Sequence, residues 1–229
     1  MASYPTQYLY AIVDGLPRAW RPPAGVDDGP VATRALDSVH VVLGDVVAVP
    51  PASPRTLARH HDVVASTLEA DALLPFRYGV AVPGAELGAW LEGRREAIAA
   101  ALAALRGRVE MSVKLLRLDA AVVARPRGAT PPGPGPAEGE LRALADRLVE
   151  RAALDEWRYR PAGGPGNVVA SLAFLVPKPE VAGFLARIAP IASRAVGVAV
   201  VPTGPWPAYA FAPGLERRDR DAGAERRAG

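Results

Sequence analysis

The sequence predicts an α+β protein with two domains, and three observations lead to this prediction. Residues 109–115 alternate apolar and polar side chains, which is typical of an antiparallel strand with one buried face. In several other segments apolar residues recur at spacings of three and four, which is typical of amphipathic helices. Residues 125–139 contain five prolines and four glycines, a composition that predicts an extended linker between two folded parts.

The N-terminal part begins with predicted strands. Residues 7–13 form an apolar run that ends at a turn pair, Asp14-Gly15. Two β-branched runs, 39–43 and 46–49, flank Gly44-Asp45, and this pattern predicts a tight hairpin.

A helix is predicted to start at Ser53. Serine is a favoured N-cap residue, and Pro54 follows at the first helical position, where the missing N–H group has no cost. The helical face predicted to be buried carries Leu57, His61, Val64 and Leu68. We therefore expect His61 to be a hydrogen-bonded histidine of the core.

The remaining elements of this part complete one sheet. A strand is predicted over 74–82, a helix from Pro83-Gly84 to Gly107, and the alternating strand over 109–115. The predicted buried residues of that helix are Leu87, Leu91, Ile98, Leu102 and Leu105. The order strand, hairpin, helix, strand, helix, strand predicts a modified ferredoxin-like antiparallel sheet with helices on one face.

A smaller α+β domain is predicted after the linker. Its elements are a helix over 140–158, a strand over 167–176, a helix over 177–194 and a strand over 196–201. The predicted organisation is a ferredoxin-like domain over 1–124, a linker over 125–139, a C-terminal α+β domain over 140–213 and a disordered charged tail over 214–229.

Composition narrows the classes of partner. The net charge is +3, from 27 basic and 24 acidic residues that are interleaved along the chain, so no nucleic-acid arm is indicated. The predicted open face of the 109–115 strand carries no aromatic residue on which a base could stack, which also disfavours nucleic acid. The chain contains no cysteine, no apolar run long enough to cross a membrane and no signal-peptide pattern near its start. We predict a cytoplasmic protein without a lipid-membrane partner.

No catalytic or metal-binding set is apparent. The three histidines are His40, His60 and His61, and neighbouring helical residues point about 100° apart, so His60 and His61 cannot clamp one metal ion. No serine lies in a nucleophile-elbow context. The prediction is a protein that is not an enzyme and binds no cofactor or metal.

Five residues are candidates for partner contact or for a structural motif. Arg77 is predicted to lie in a strand, where it requires an internal ion pair or serves as an interface contact. Its neighbour Tyr78 belongs to the same motif. Trp206, Tyr209 and Phe211 follow the last strand in a proline-rich stretch that must be an edge strand or an extended strap. Such aromatics either seal a core or bind a partner.

Four motifs carry a family resemblance. They are the opening strand Tyr8–Val13, the stretch Leu73-Leu74-Pro75-Phe76-Arg77-Tyr78-Gly79, the segment Gly107–Lys114, and Gly204-Pro205-Trp206-Pro207-Ala208-Tyr209-Ala210-Phe211. In this order they resemble motifs of the gas vesicle protein F/L family (GvpF/GvpL). Ala208 departs from the family pattern, which has a second proline at this position.

The resemblance implies a function. Members of this family are minor structural or assembly components of gas vesicles, and they act by binding the main shell protein during vesicle nucleation or growth. The implied partners are this shell protein and other gas vesicle accessory proteins, and the implied location is the gas vesicle. The alternative is a small-ligand-binding protein or enzyme on a ferredoxin-like fold, with a pocket around Arg77 and His61.

Overall fold

Two compact units make up the chain. The computed structural model describes residues 5–118, 138–161, 167–193, 195 and 197–215. The first unit contains described residues 5–107 and 207–215, and the second unit is Arg108–Trp206. The chain thus leaves the first unit after Gly107 and returns to it at Pro207, whereas the sequence analysis divided the chain at 125–139. Most of that predicted linker, and the predicted tail beyond Leu215, lie outside the described residues.

An antiparallel sheet forms the centre of the first unit. Its strand order is β2-β3-β1-β4, and β5 also pairs with β1. The strands are β1 (Thr6–Asp14), β2 (Val31–Leu36), β3 (Val39–Val46), β4 (Ala72–Pro75) and β5 (Ala81–Pro83). β1 is the central strand, and its residues from Tyr8 to Val13 are almost completely buried.

Three helices accompany this sheet: α1 (Pro54–Ala65), α2 (Leu87–Glu92) and α3 (Arg95–Leu105). The start of α1 is confirmed, because the Ser53 side chain accepts a hydrogen bond from the Thr56 backbone and the Thr56 side chain accepts one from the Ser53 backbone. The predicted buried face is confirmed at Val64 but wrong at the histidine and at Leu57. His60 is buried and His61 is only partly so, while Leu57 is 46% exposed.

The predicted hairpin around Gly44-Asp45 is wrong. Both residues lie inside β3, and the turn is at Asp37-Ser38, where Asp37 has a φ of 51°. Packing favours glycine at position 44, since a Cβ atom there would lie 3.2 Å from the Pro30 carbonyl oxygen, a tight contact. A glycine-acid pair predicts a turn locally, but a tertiary contact explains this one.

The second unit has the element order of a ferredoxin-like fold. Its elements are β6 (Arg108–Arg117), α4 (Glu138–Ala152), β7 (Trp157–Pro161), β8 (Val168–Pro177), α5 (Val181–Ala192) and β9 (Val198–Trp206). The sheet order is β7-β8-β6-β9, and every neighbouring pair is antiparallel. Strand, helix, strand, strand, helix, strand in this sheet order is the split βαβ arrangement.

The α+β class predicted from the sequence is confirmed, and two details need correction. β6, which the sequence analysis assigned to the N-terminal sheet, pairs with β8 and β9 of the second unit. The helix predicted to run to Arg158 ends at Ala152, because Ala153 adopts a φ of 50°, and β7 follows. The alternation of Trp157 and Tyr159 with Arg158 and Arg160 was the unused signal for this strand.

Candidate partner-binding surface

The segment Phe76–Val80, which we call the Arg77 loop, leaves the sheet of the first unit between β4 and β5. Both strands pair with β1, with Pro75 opposite Ala11 and Ala81 opposite Tyr8. Five residues therefore lie opposite two, and the extra residues project from the ladder. The predicted single strand over 74–82 is wrong for this reason. Gly79 has a φ of 94°, which few other residues adopt, and allows the chain to turn back.

A buried chain of hydrogen bonds holds both ends of the Arg77 loop. The Gly79 N–H donates to the Tyr8 hydroxyl over 3.0 Å, and that hydroxyl lies 3.0 Å from Nδ1 of His60. Nε2 of His60 lies 3.0 Å from the Phe76 carbonyl oxygen. Since a carbonyl can only accept, Nε2 carries the proton and Nδ1 accepts from Tyr8. With a neutral His60, both ring nitrogens, the Tyr8 hydroxyl and the Phe76 carbonyl oxygen each make a hydrogen bond.

Aromatic rings surround His60 and keep it neutral. The Tyr10 ring stacks on the imidazole at 5.6 Å between centroids, and the Tyr8 and Tyr78 rings contact it edge-on at 5.8 and 5.7 Å. Burial lowers the pKa of His60 from its usual 6.5 to about 4. Burial also raises the pKa of Tyr8 and of Tyr10, so both phenols stay protonated.

Arg77 itself is exposed, in contrast to the prediction of a half-buried side chain. It makes no ion pair with any residue that the structure describes. The predicted internal ion pair is therefore wrong, because Arg77 lies on a projecting loop and not in a strand. A role in partner contact stays a prediction.

An exposed loop without a polar side chain adjoins the Arg77 loop. Residues 47–52, which we call the apolar loop, read Val-Ala-Val-Pro-Pro-Ala and connect β3 to Ser53. Val47 is fully exposed and Val49 is 37% exposed. The Tyr78 hydroxyl donates to the Pro50 carbonyl oxygen over 2.8 Å and thereby joins the two loops. Together they form one candidate surface of the first unit.

The three C-terminal aromatic candidates are divided between the units. Trp206 ends β9, an edge strand of the second unit, is 37% exposed, and donates from its indole to the Thr203 hydroxyl over 3.2 Å. Tyr209 belongs to the first unit, where its ring lies 6.4 Å from that of His60. Phe211 is partly buried in the same unit. The structure therefore brings both Tyr78 and Tyr209 close to His60. Trp206 belongs to the second unit and is not part of this cluster.

The residues that hold the C-terminal segment on the first unit were not predicted from the sequence. The Arg94 guanidinium stacks 4.4 Å from the Trp90 ring centroid and donates from Nε to the Leu215 carbonyl oxygen over 2.8 Å. Ala208 and Leu215 are buried. A tryptophan and an arginine four residues apart on a helical stretch were a usable signal for a stacked pair.

The described residues contain neither a candidate metal site nor a helix that could span a membrane. No group of three or more histidine, aspartate or glutamate side chains is placed to hold a metal ion. None of the described helices combines the length and apolar character needed to cross a bilayer.

Comparison with known proteins identifies the family. The family model described as "Gas vesicle synthesis protein GvpL/GvpF" matches residues 6–131 and 136–213. The chain belongs to the GvpL/GvpF family. No curated protein matched significantly.

Two solved structures of GvpF are similar to this GvpL/GvpF chain. GvpF from Anabaena sp. PCC7120 superposes with a TM-score of 0.74 at 20% identity, over 91% of this chain and 96% of that one. GvpF from Microcystis aeruginosa gives a TM-score of 0.69 at 20% identity, over 91% and 99%. At this identity the two matches show that the fold is shared.

Family membership confirms the coarse function predicted from the four sequence motifs. The GvpL/GvpF family consists of gas vesicle proteins, so the chain has a role connected with gas vesicles and with the other proteins that make them. The absence of enzymatic activity and the cytoplasmic location stay predictions.

Proposed function

We propose that this protein is a minor structural or assembly component of gas vesicles that binds the main shell protein during vesicle nucleation or growth. Membership of the GvpL/GvpF family supports the gas vesicle role. The single observation that carries the binding step is the apolar loop, which exposes Val47 and Val49 beside the Arg77 loop.

The exposed valines of the apolar loop are unfavourable in water and suit an apolar partner. Each Å² of apolar surface removed from water contributes about 25 cal/mol, so two valines and two prolines can drive association. Because Tyr78 fixes the apolar loop through Pro50, little conformational entropy is lost when a partner binds. Arg77 lies in the adjoining loop, where an exposed cation can select the orientation of the partner.

Trp206 and Phe211 stay candidate contacts within this proposal. Trp206 is one of the few large apolar side chains that the described residues expose, and tryptophan is enriched among binding hot spots. Tyr209 and Tyr78 have a structural role already, since both pack around His60.

The alternative function, a ligand pocket around Arg77 and His61, has less support. The groove beside Arg77 is lined by residues 77–82 and Trp90, and no histidine is among these. The histidine nearest this loop is His60, and its two ring nitrogens bond to Tyr8 and Phe76.

The test is co-purification of the tagged chain with the principal gas vesicle shell protein after co-expression. We expect the wild-type chain to capture the shell protein and Val47→Asp to capture much less. Leu118→Asp is the matched control, because Leu118 is an exposed apolar residue of the second unit. Failure of the wild-type chain to capture the shell protein would refute the proposed function. Equal capture of the shell protein by Val47→Asp and Leu118→Asp would refute the proposal that the apolar loop is the binding surface.

A further inference from the structure

We propose that the open face of the second unit's sheet binds an acidic, amphipathic segment of a partner protein. This basic face carries Lys114 on β6 and both Arg158 and Arg160 on β7. It lies on a different unit from the apolar loop, so the inference goes beyond the proposed function.

The two faces of this sheet are distinguished by packing. Met111, Val113 and Leu115 of β6 are buried in the core that also contains residues of α4 and α5. Side chains alternate along a strand, so Ser112 and Lys114 lie on the opposite face. Trp157 and Tyr159 of β7 pack against the same core, which places the arginines of β7 on the open face as well.

Strand register brings the cations together over a floor of small side chains. Ser171 of β8 pairs with Arg160 on one side and with Lys114 on the other. With about 4.8 Å between neighbouring strands, the two cations are held about 10 Å apart at the backbone. In the next row Ala173 pairs with Arg158 and with Ser112. Serine and alanine leave a shallow channel between the long basic side chains.

Two of the three cations on this face carry a charge that no described carboxylate compensates. Lys114 and Arg160 are exposed and make no ion pair with any described residue. Two carboxylates occur at the other end of the face, and both are engaged: Glu156 binds Arg108 over 2.6 Å, and Glu110 is buried and accepts from the Ser112 hydroxyl. The channel therefore attracts a negatively charged partner.

Neighbouring residues favour a protein segment over a nucleic acid. Leu116 and Val201 are partly buried apolar residues on the same face, and Val201 pairs with Lys114. They suit the apolar side chains of an amphipathic segment whose carboxylates reach the cations. The described positions of the open face on the central strands carry no aromatic ring, and single-stranded RNA recognition on such sheets depends on stacking.

The test measures binding of a fluorescent synthetic peptide by anisotropy. The probe is a short peptide with Leu at helical spacing and Glu elsewhere, and its counterpart has Lys in place of Glu. We expect the Glu peptide alone to bind, with affinity that falls as salt rises, and the double variant Lys114→Glu/Arg160→Glu to weaken binding by at least about tenfold. The neutral variant Lys114→Gln/Arg160→Gln should lie between the two.

The matched control is Arg147→Glu/Arg151→Glu, which changes the net charge equally at exposed positions of α4. It should bind the Glu peptide like the wild type. Equal weakening by both double variants, or no binding of the Glu peptide by the wild-type chain, would overturn the proposal. Tighter binding of single-stranded RNA than of the Glu peptide would also overturn it, in favour of a nucleic-acid surface.

Discussion

The buried His60 makes the first unit sensitive to acid. Its Nδ1 accepts from the Tyr8 hydroxyl, and that hydroxyl already accepts from the Gly79 N–H. A second proton on the imidazole would place two donors against each other and a charge in a buried, aromatic site. We therefore predict that acidification weakens the first unit and that replacing His60 removes this effect.

The magnitude follows from the pKa of His60, which burial lowers from 6.5 to about 4. Between these values the unfolded chain binds a proton that the folded chain does not, so the free energy of unfolding falls as the pH falls from about 6.5 to 4. At about 1.4 kcal/mol per pH unit, the whole window corresponds to a loss of about 3 kcal/mol. Above pH 6.5 the contribution is constant.

The assay is urea unfolding at several pH values between 7 and 4, with hydrogen exchange of β1 to assign the change to the first unit. Carboxylates also titrate in this range, so the quantity of interest is the difference between the wild type and His60→Gln. This variant is expected to be less stable at pH 7 and to lose less stability on acidification. His61→Gln is the matched control and should follow the wild type more closely, because His61 is only partly buried. Parallel pH profiles for the wild type and His60→Gln would refute this reasoning.

Three further predictions concern stability. A chain that ends at Trp206 should show faster hydrogen exchange in the first unit, because the removed segment includes buried Leu215, whereas removal of 216–229 alone should not; equal exchange in both would contradict the assignment. Arg77→Ala should change the free energy of unfolding by less than about 0.5 kcal/mol, since the side chain is exposed. A loss above about 2 kcal/mol in thermal or urea unfolding would contradict this and would support a buried ion pair of Arg77. Gly204→Ala should destabilise the second unit by about 1–3 kcal/mol, because φ is 122° and the new Cβ would lie 2.9 Å from the Glu110 carbonyl oxygen; an unchanged melting temperature would contradict this.

Local patterns predicted the elements whose causes are local. The capping residues of α1, Ser53 and Thr56, lie within one helical turn of each other, so the helix start could be predicted from Ser53 and Pro54. The alternation of β6 likewise specified the apolar side chains that are buried, although it placed Glu110, which is buried too, on the exposed face. The same alternation contains no information about the partner strand, and β6 was therefore assigned to the wrong sheet.

The candidate surface depended on contacts between distant residues. Arg77 was expected in a strand because apolar residues surround it, and only the pairing of β1 with both β4 and β5 reveals the projecting loop. Because Leu57 was predicted to be buried, the predicted buried face of the helix contained His61 and not His60. Leu57 is in fact exposed, and His60 is the buried histidine. The apolar loop was interpreted as half of a hairpin, since exposure cannot be derived from composition.

The return of the chain at Pro207 has a consequence for biosynthesis. The ribosome makes the residues that cover His60 and receive the Arg94 side chain only after it has made the whole of the second unit. Until those residues are made, part of the core of the first unit stays uncovered. Nascent chains that are released before Leu215 is made would expose this part of the core and would be prone to aggregation.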